Sequence, residues 1–123
     1  MPHNTFTLHV LASGSKGNAS IVESTQSGVG ILIDCGITRK RFLEGCDEVG
    51  FDPANLQAIL VTHEHSDHIK GLSTISHKFD IPVFATRETF DAMPTQTEKI
   101  SNKNINYFYP DEKFNINDLE ITP

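Results

Sequence analysis

The chain has 123 residues, 37% of them hydrophobic, with 10 basic and 16 acidic side chains and a formal charge of −6. That length holds one domain, and the acidic balance excludes binding to nucleic acid or anionic membrane by bulk electrostatics, so any such contact needs a local basic patch. No apolar run approaches the roughly 18 residues of a membrane span, the start Met1-Pro2-His3-Asn4 lacks the regions of a signal peptide, and Cys35 and Cys46 form no close-spaced motif, so two free thiols and a cytoplasmic location are expected.

Phe6–Ala12 alternates apolar and polar residues and predicts a strand. "SGSKGN", 13–18, breaks it, and "ASIVES", 19–24, resumes it, which predicts a β-hairpin with a long turn. "VGILID", 29–34, predicts a buried strand, closed by Cys35-Gly36. Thr38 is placed to cap a helix that runs to Val49 and stops at Gly50, with Phe42, Leu43, Cys46 and Val49 on one face. "AILVT", 58–62, is a short continuous apolar run, as in a strand buried on both faces. Ile69, Leu72, Ile75 and Phe79 mark the inner face of a second helix. "IPVFAT", 81–86, predicts a strand, and 87–93 a short helix stopped by Pro94. Residues 94–104 read as loop, and 106–109 and 113–122 as strands with a turn near Asn117-Asp118. The order predicts a layered α/β domain.

"THEHSDH", 62–68, holds three of the six histidines beside an aspartate and a glutamate. In extended chain His63 and His65 point to one side, because side chains alternate with period two. Ser66 or Asp67 then starts a helix, with Asp67 and His68 in its first turn. The four groups converge at the carboxyl end of a strand, where open α/β sheets place their sites. Imidazole and carboxylate at that spacing suit zinc, and also manganese or iron. A capped surface loop would need one such residue, not a run of them. Glu64 points away from its neighbours.

These residues carry a resemblance. "THEHSDH" resembles the H-x-H-x-D-H signature of the metallo-β-lactamase superfamily, and "ILIDCG", 31–36, resembles its earlier strand ending in an aspartate. With "LASGSKGNASIVES", "IPVFAT" and "DLEITP", the chain is similar over essentially its whole length to the YycJ-type branch, cytosolic bacterial hydrolases described as double-stranded DNA exonucleases. The resemblance implies the amino-terminal half of an αββα four-layer sandwich across residues 1–123. It implies two divalent metal ions, zinc first, with His63 and His65 on one and Asp67 and His68 on the other. Asp67 would also orient the nucleophile, and Asp34 would support the ligands through hydrogen bonds.

The family takes further ligands from later in its chains: a His, a bridging Asp and a final His. None follows here, so a partial domain is expected, inactive alone, with the inner face of its last strands exposed and self-association possible. Hydrolysis of phosphodiester bonds in DNA is the first functional reading. The alternatives are a carboxylic or thiol ester hydrolase of the same fold, or an inactive half-domain. β-Lactam hydrolysis is disfavoured by the lack of a signal peptide.

The remaining candidates are weaker. Ser15, Lys16 and Asn18 sit in a turn that lies near the active-site rim in this superfamily, and are candidates for substrate contact. The turn lacks phosphate-loop spacing. "TRKR", 38–41, is the main basic cluster and reads first as a solvated helix face. His3, His9 and His77 are expected to stay outside the site.

Overall fold

The computed structural model describes residues 5–123; His3 lies outside them. β1 (Phe6–Ala12), β2 (Ala19–Ser24) and β3 (Gly30–Ile33) form an antiparallel run. β4 (Leu56–Leu60), β5 (Val83–Ala85) and β6 (Ile105–Tyr107) then join in parallel, giving a six-stranded sheet in chain order. The short apolar run at 58–62 thus becomes the interior strand it predicts, with Ala58, Ile59, Leu60 and Val61 all buried.

The two faces of the sheet carry different cores. Ile21, Leu32, Ile59 and Val83 face a layer of helices, where Phe42, Cys46, Leu72, Ile75 and Phe90 meet them. Each fully buried side chain of this size contributes about 1.5–3 kcal/mol. Ile31, Ala58 and Leu60 face the other way. A separate hairpin, β7 (Phe114–Ile116) and β8 (Leu119–Ile121), covers them with Ile116, Phe114, Leu119 and Ile121. Of these apolar residues only Ile116 is buried; Phe114, Leu119 and Ile121 are half-buried, and Tyr107 and Tyr109 before them are exposed, so this face stays partly open. A further exposed stripe lies on the first strand, where Phe6, Leu8 and Val10 are 61%, 55% and 56% exposed. They alternate along an edge strand and so share one face.

α1 (Arg39–Val49) forms as its signals dictate. The Thr38 hydroxyl accepts from the Arg41 N–H, and Gly50 ends the helix in the left-handed region. Two expectations fail later in the chain. Pro94 does end the short helix, α4 (Arg87–Ala92), but it also opens another as the first-turn residue of α5 (Pro94–Lys99). Proline needs no N–H there, which suits it to that position. The expected loop over 94–104 is therefore a helix followed by a 3-10 turn at Asn102–Asn104.

The second failure concerns the helix after the histidines. It is split into α2 (Ser66–Ile69) and α3 (Leu72–Phe79). The reason lies in hydrogen bonding. The Asp67 carbonyl accepts from Asn18 N–H at 2.7 Å, the His68 carbonyl from Cys35 N–H at 2.7 Å, and Gly71 N–H donates to the Cys35 carbonyl at 2.8 Å. Groups that would continue the helix are spent on two neighbouring loops.

The β7–β8 turn is tied down by Asp118, whose carboxylate accepts from the hydroxyls of Ser24 at 2.5 Å and Ser27 at 2.9 Å. Those bonds hold its pKa below the ordinary 3.8. A depressed carboxylate pKa stabilises the folded state above the unfolded value, and the stabilisation is lost as pH falls through the folded value. We expect the methyl resonances of Ile116 and Leu119 to keep their native shifts down to about pH 4 and to move only below it. In Asp118→Ala they are perturbed already at neutral pH. Identical titrations in the two proteins would show that this carboxylate does not dock the hairpin.

Candidate metal centre

β3 and β4 are parallel neighbours, so their carboxyl ends open at the same edge of the sheet. Asp34 leaves one end and Thr62-His63 the other. Asp34 is buried, 5% exposed, and sits in the left-handed region at φ 61°. Aspartate tolerates that region better than most residues. Its own N–H reaches the Leu60 carbonyl at 2.7 Å, which locks the turn to β4.

The Asp34 carboxylate gathers three donors. Oδ1 accepts from Thr62 N–H at 2.7 Å. Oδ2 accepts from the Thr62 hydroxyl at 2.6 Å and from His68 Nδ1 at 2.7 Å. The consequences follow from proton counting. A carboxylate only accepts, so His68 carries its proton on Nδ1. The Thr62 hydroxyl has one proton and gives it to Asp34. It can then only accept from His63 Nδ1, 3.0 Å away. In the neutral form of each ring this leaves Nε2 unprotonated, the form of imidazole that binds a metal.

The imidazoles cluster as the alternation predicts. Ring centroids lie 6.1 Å apart for His63 and His65, and 5.0 Å apart for His63 and His68. His68 Nε2 stands 3.7 Å from Asp67 Oδ2. Two donors on one tetrahedral zinc, at bonds of about 2.0–2.2 Å, lie about 3.4 Å apart, so this pair is close to ligand spacing. Among the described residues no three His, Cys, Asp or Glu groups close around a single point. The donors fit a divalent ion in chemical type, with His68 and Asp67 near ligand spacing, but not as a closed cage.

Asp67 is positioned from the hairpin turn. Asn18 Nδ2 lies 3.3 Å from its Oδ2 and 3.3 Å from its carbonyl, and 3.0 Å from the Gly14 carbonyl. Asn18, expected to contact substrate, is thus committed to bonds that hold the turn against the site. Ser15 and Lys16 are exposed and line a concavity with Gly36, Ser66, Asp67 and Lys70. The loops meet so tightly that two glycines are obligatory. A Cβ on Gly36 would stand 1.7 Å from the Asp67 carbonyl oxygen, and one on Gly71 2.0 Å from that of Ile37.

Other candidates fall where expected. Glu64 and His77 are exposed. His9 bonds Glu23 across the β1–β2 pair at 2.8 Å and stays outside the site. Cys35 and Cys46 are free and buried, and burial pushes their thiols up to about 12 and about 11. They are neither nucleophiles nor ready ligands. The sequence does not single out Thr62 or Gly71, and it marks Gly36 only as the close of the 29–34 strand. The one signal for Thr62 is its place before the first histidine, where a hydroxyl can bridge back to the preceding strand.

A sequence model of the metallo-beta-lactamase superfamily matches residues 12–122. The chain belongs to the metallo-β-lactamase superfamily. Members normally bind divalent metal ions. The chain is 38% identical over 88 residues to exodeoxyribonuclease WalJ of Streptococcus pneumoniae serotype 2, a match covering 72% of this chain and 32% of that protein. It is 42% identical over 84 residues to exodeoxyribonuclease YycJ of Bacillus anthracis, covering 68% and 31%. Among solved structures, BJP-1, a subclass B3 metallo-β-lactamase of Bradyrhizobium japonicum, superposes with a TM-score of 0.75 at 16% identity, covering 95% of this chain and 48% of that one. The fold is therefore that of the superfamily's amino-terminal half. The matched segment is about a third of the length of these curated relatives.

Asp34→Asn keeps a residue tolerant of the left-handed region but turns an NH2 toward one of the three donors. We expect a loss of about 1–3 kcal/mol in urea unfolding, together with mixed His68 tautomers in imidazole nitrogen spectra. Unchanged stability and an unchanged His68 spectrum would remove Asp34 from this role.

Proposed function

We propose that these residues form the metal-binding half of a cytoplasmic phosphodiesterase, a DNA exonuclease, within one partial metallo-β-lactamase domain over residues 1–123. The observation that carries the reading is the Asp34 network, which occupies Nδ1 of both His63 and His68 and leaves Nε2 of the neutral rings as the lone-pair donor. The likeness to two exodeoxyribonucleases supports DNA as substrate over the ester alternatives.

His63 and His65 would hold one ion, and Asp67 and His68 a second, with zinc the best match to this donor set. When bound, such ions supply an activated water at neutral pH and offset charge on the attacked phosphoryl group. The chain's own residues do the positioning. Asp34 keeps the protons on Nδ1 of His68 and, through Thr62, of His63. Asn18 holds Oδ2 of Asp67, and Asp67 orients the attacking water. Lys16 and Lys70 flank Asp67 and favour an anionic phosphate there.

Two donors per ion fall short of the three or four protein donors that zinc sites take, so the remaining donors come from outside these residues. The 123-residue chain is expected to bind zinc more weakly than about 1 μM, or −8.2 kcal/mol, and to leave duplex DNA uncut. The Phe6–Leu8–Val10 stripe also supports self-association of this chain, which sedimentation velocity would report.

His65→Ala should weaken zinc binding at least tenfold by calorimetry while leaving the unfolding midpoint of the metal-free chain in place. Joined to a segment that supplies the later ligands, the chain should cleave duplex DNA, and His65→Ala should abolish cleavage. Zinc affinity untouched by the substitution would refute the metal centre. Thioester cleavage without DNA cleavage would replace the nuclease reading.

A further inference from the structure

The concavity beside Asp67 does not end at Lys70. Lys70 also lines a second concavity, on its far side, together with Arg39, Lys40, Thr38 and Thr74. The "TRKR" cluster at the start of α1, which reads in sequence as a solvated helix face, is therefore brought next to the residue that follows α2. Lys16, Lys70, Arg39 and Lys40 make up four of the chain's ten basic residues, and they line two hollows that share one wall.

The charge of this strip opposes that of the whole molecule. Asp67 is the one acid among the residues lining the two hollows, and it is a proposed ligand for a divalent cation. Among the described residues, none of the four cations is within ion-pair distance of a carboxylate, and all four are exposed. Arg41, the remaining base of the cluster, is turned away: its guanidinium reaches the Leu11 carbonyl at 3.1 Å and Glu48 at 3.7 Å. Ser15, Ser66 and Thr38 line the hollows beside the cations, while the Thr74 hydroxyl donates to the Gly71 carbonyl at 3.0 Å. Lys70 itself is set by the fixed chain around it, since the next residue donates to the Cys35 carbonyl.

We propose that this strip is a track for the phosphate backbone of DNA, leading from the metal centre over Lys70 to Arg39 and Lys40 at the start of α1. The proposal rests on the nuclease reading above and adds the path the polymer takes. Unpaired cations with hydroxyls beside them contact phosphates without reading base sequence. An acidic protein gains from confining its positive potential to one strip, because the rest of its surface repels the polymer and leaves a single docking path. Lys16 and Lys70 hold the phosphate beside Asp67. Arg39 and Lys40 hold phosphates further along the strand and carry no chemistry.

The test is equilibrium binding of the 123-residue chain to a fluorescent 20-base-pair duplex in EDTA, by anisotropy, across a salt series. Each phosphate contact contributes about −0.9 to the slope of log K against log salt, so four contacts give a slope of about −3.6. Lys70→Gln should weaken binding roughly three- to tenfold and flatten the slope by about 1. Arg39→Gln with Lys40→Gln should flatten it by about 2. Lys99→Gln, on α5, should change neither. All four positions are exposed, and circular dichroism checks that the fold is kept. If the parent chain binds and the track variants bind equally with the same slope, the track is wrong while the DNA reading stands. If Lys99→Gln weakens binding as much as Lys70→Gln, the effect is general charge and the track is again wrong. If the parent chain does not bind DNA at low salt, both are overturned.

Discussion

The structure around the site depends on one buried carboxylate. Asp34 accepts from the backbone of Thr62, its hydroxyl and His68. Those bonds join the end of β3 to the end of β4 and the first turn of α2, some thirty positions later in the chain. A buried carboxylate is costly unless its oxygens are satisfied, and here the satisfying groups are the ones whose orientation matters for metal binding. The cost of burying the charge is offset by the same bonds that decide which imidazole nitrogen is free.

A second constraint follows from the first. For Asp34 to reach His68, the 34–37 loop must lie directly on the 67–71 segment. Gly36 and Gly71 permit that approach, since a side chain at either would overlap a carbonyl of the opposite loop. The same approach diverts the carbonyls of Asp67 and His68 to Asn18 and Cys35 and breaks the helix after Ile69. The break in turn exposes Lys70 between two hollows. Helix geometry, metal ligation and the basic strip thus trace to one close contact between loops.

Much of this was legible in the sequence. Strand alternation and the Thr38 and Gly50 caps mark the first half of the fold, because there local propensity and tertiary packing agree. The His63–His68 cluster marks the proposed ligands, since side-chain type and period-two spacing are local properties. What was hidden is non-local. The split between α2 and α3 arises from hydrogen bonds to residues some thirty and fifty positions earlier in the chain, which apolar periodicity over Ile69–Phe79 cannot register. Pro94 marks the end of α4, but the polar stretch after it lacks an apolar stripe to show that the same proline also begins α5. The packing of the last hairpin over Ile31 and Leu60 is a choice of partner that no strand carries in its own residues.

The central claim is that Asp34 and Thr62 leave the histidine cluster with free nitrogens that bind metal in pairs. Imidazole nitrogen spectra of the chain during a zinc titration test it most directly. The account predicts Nδ1–H tautomers for His63 and His68 before zinc is added, and shifts confined to His63, His65 and His68 as zinc is added, with His9 and His77 unmoved. Zinc shifts at His9 or His77 with the cluster silent, or an Nε2–H tautomer at His68 in the metal-free chain, would contradict it.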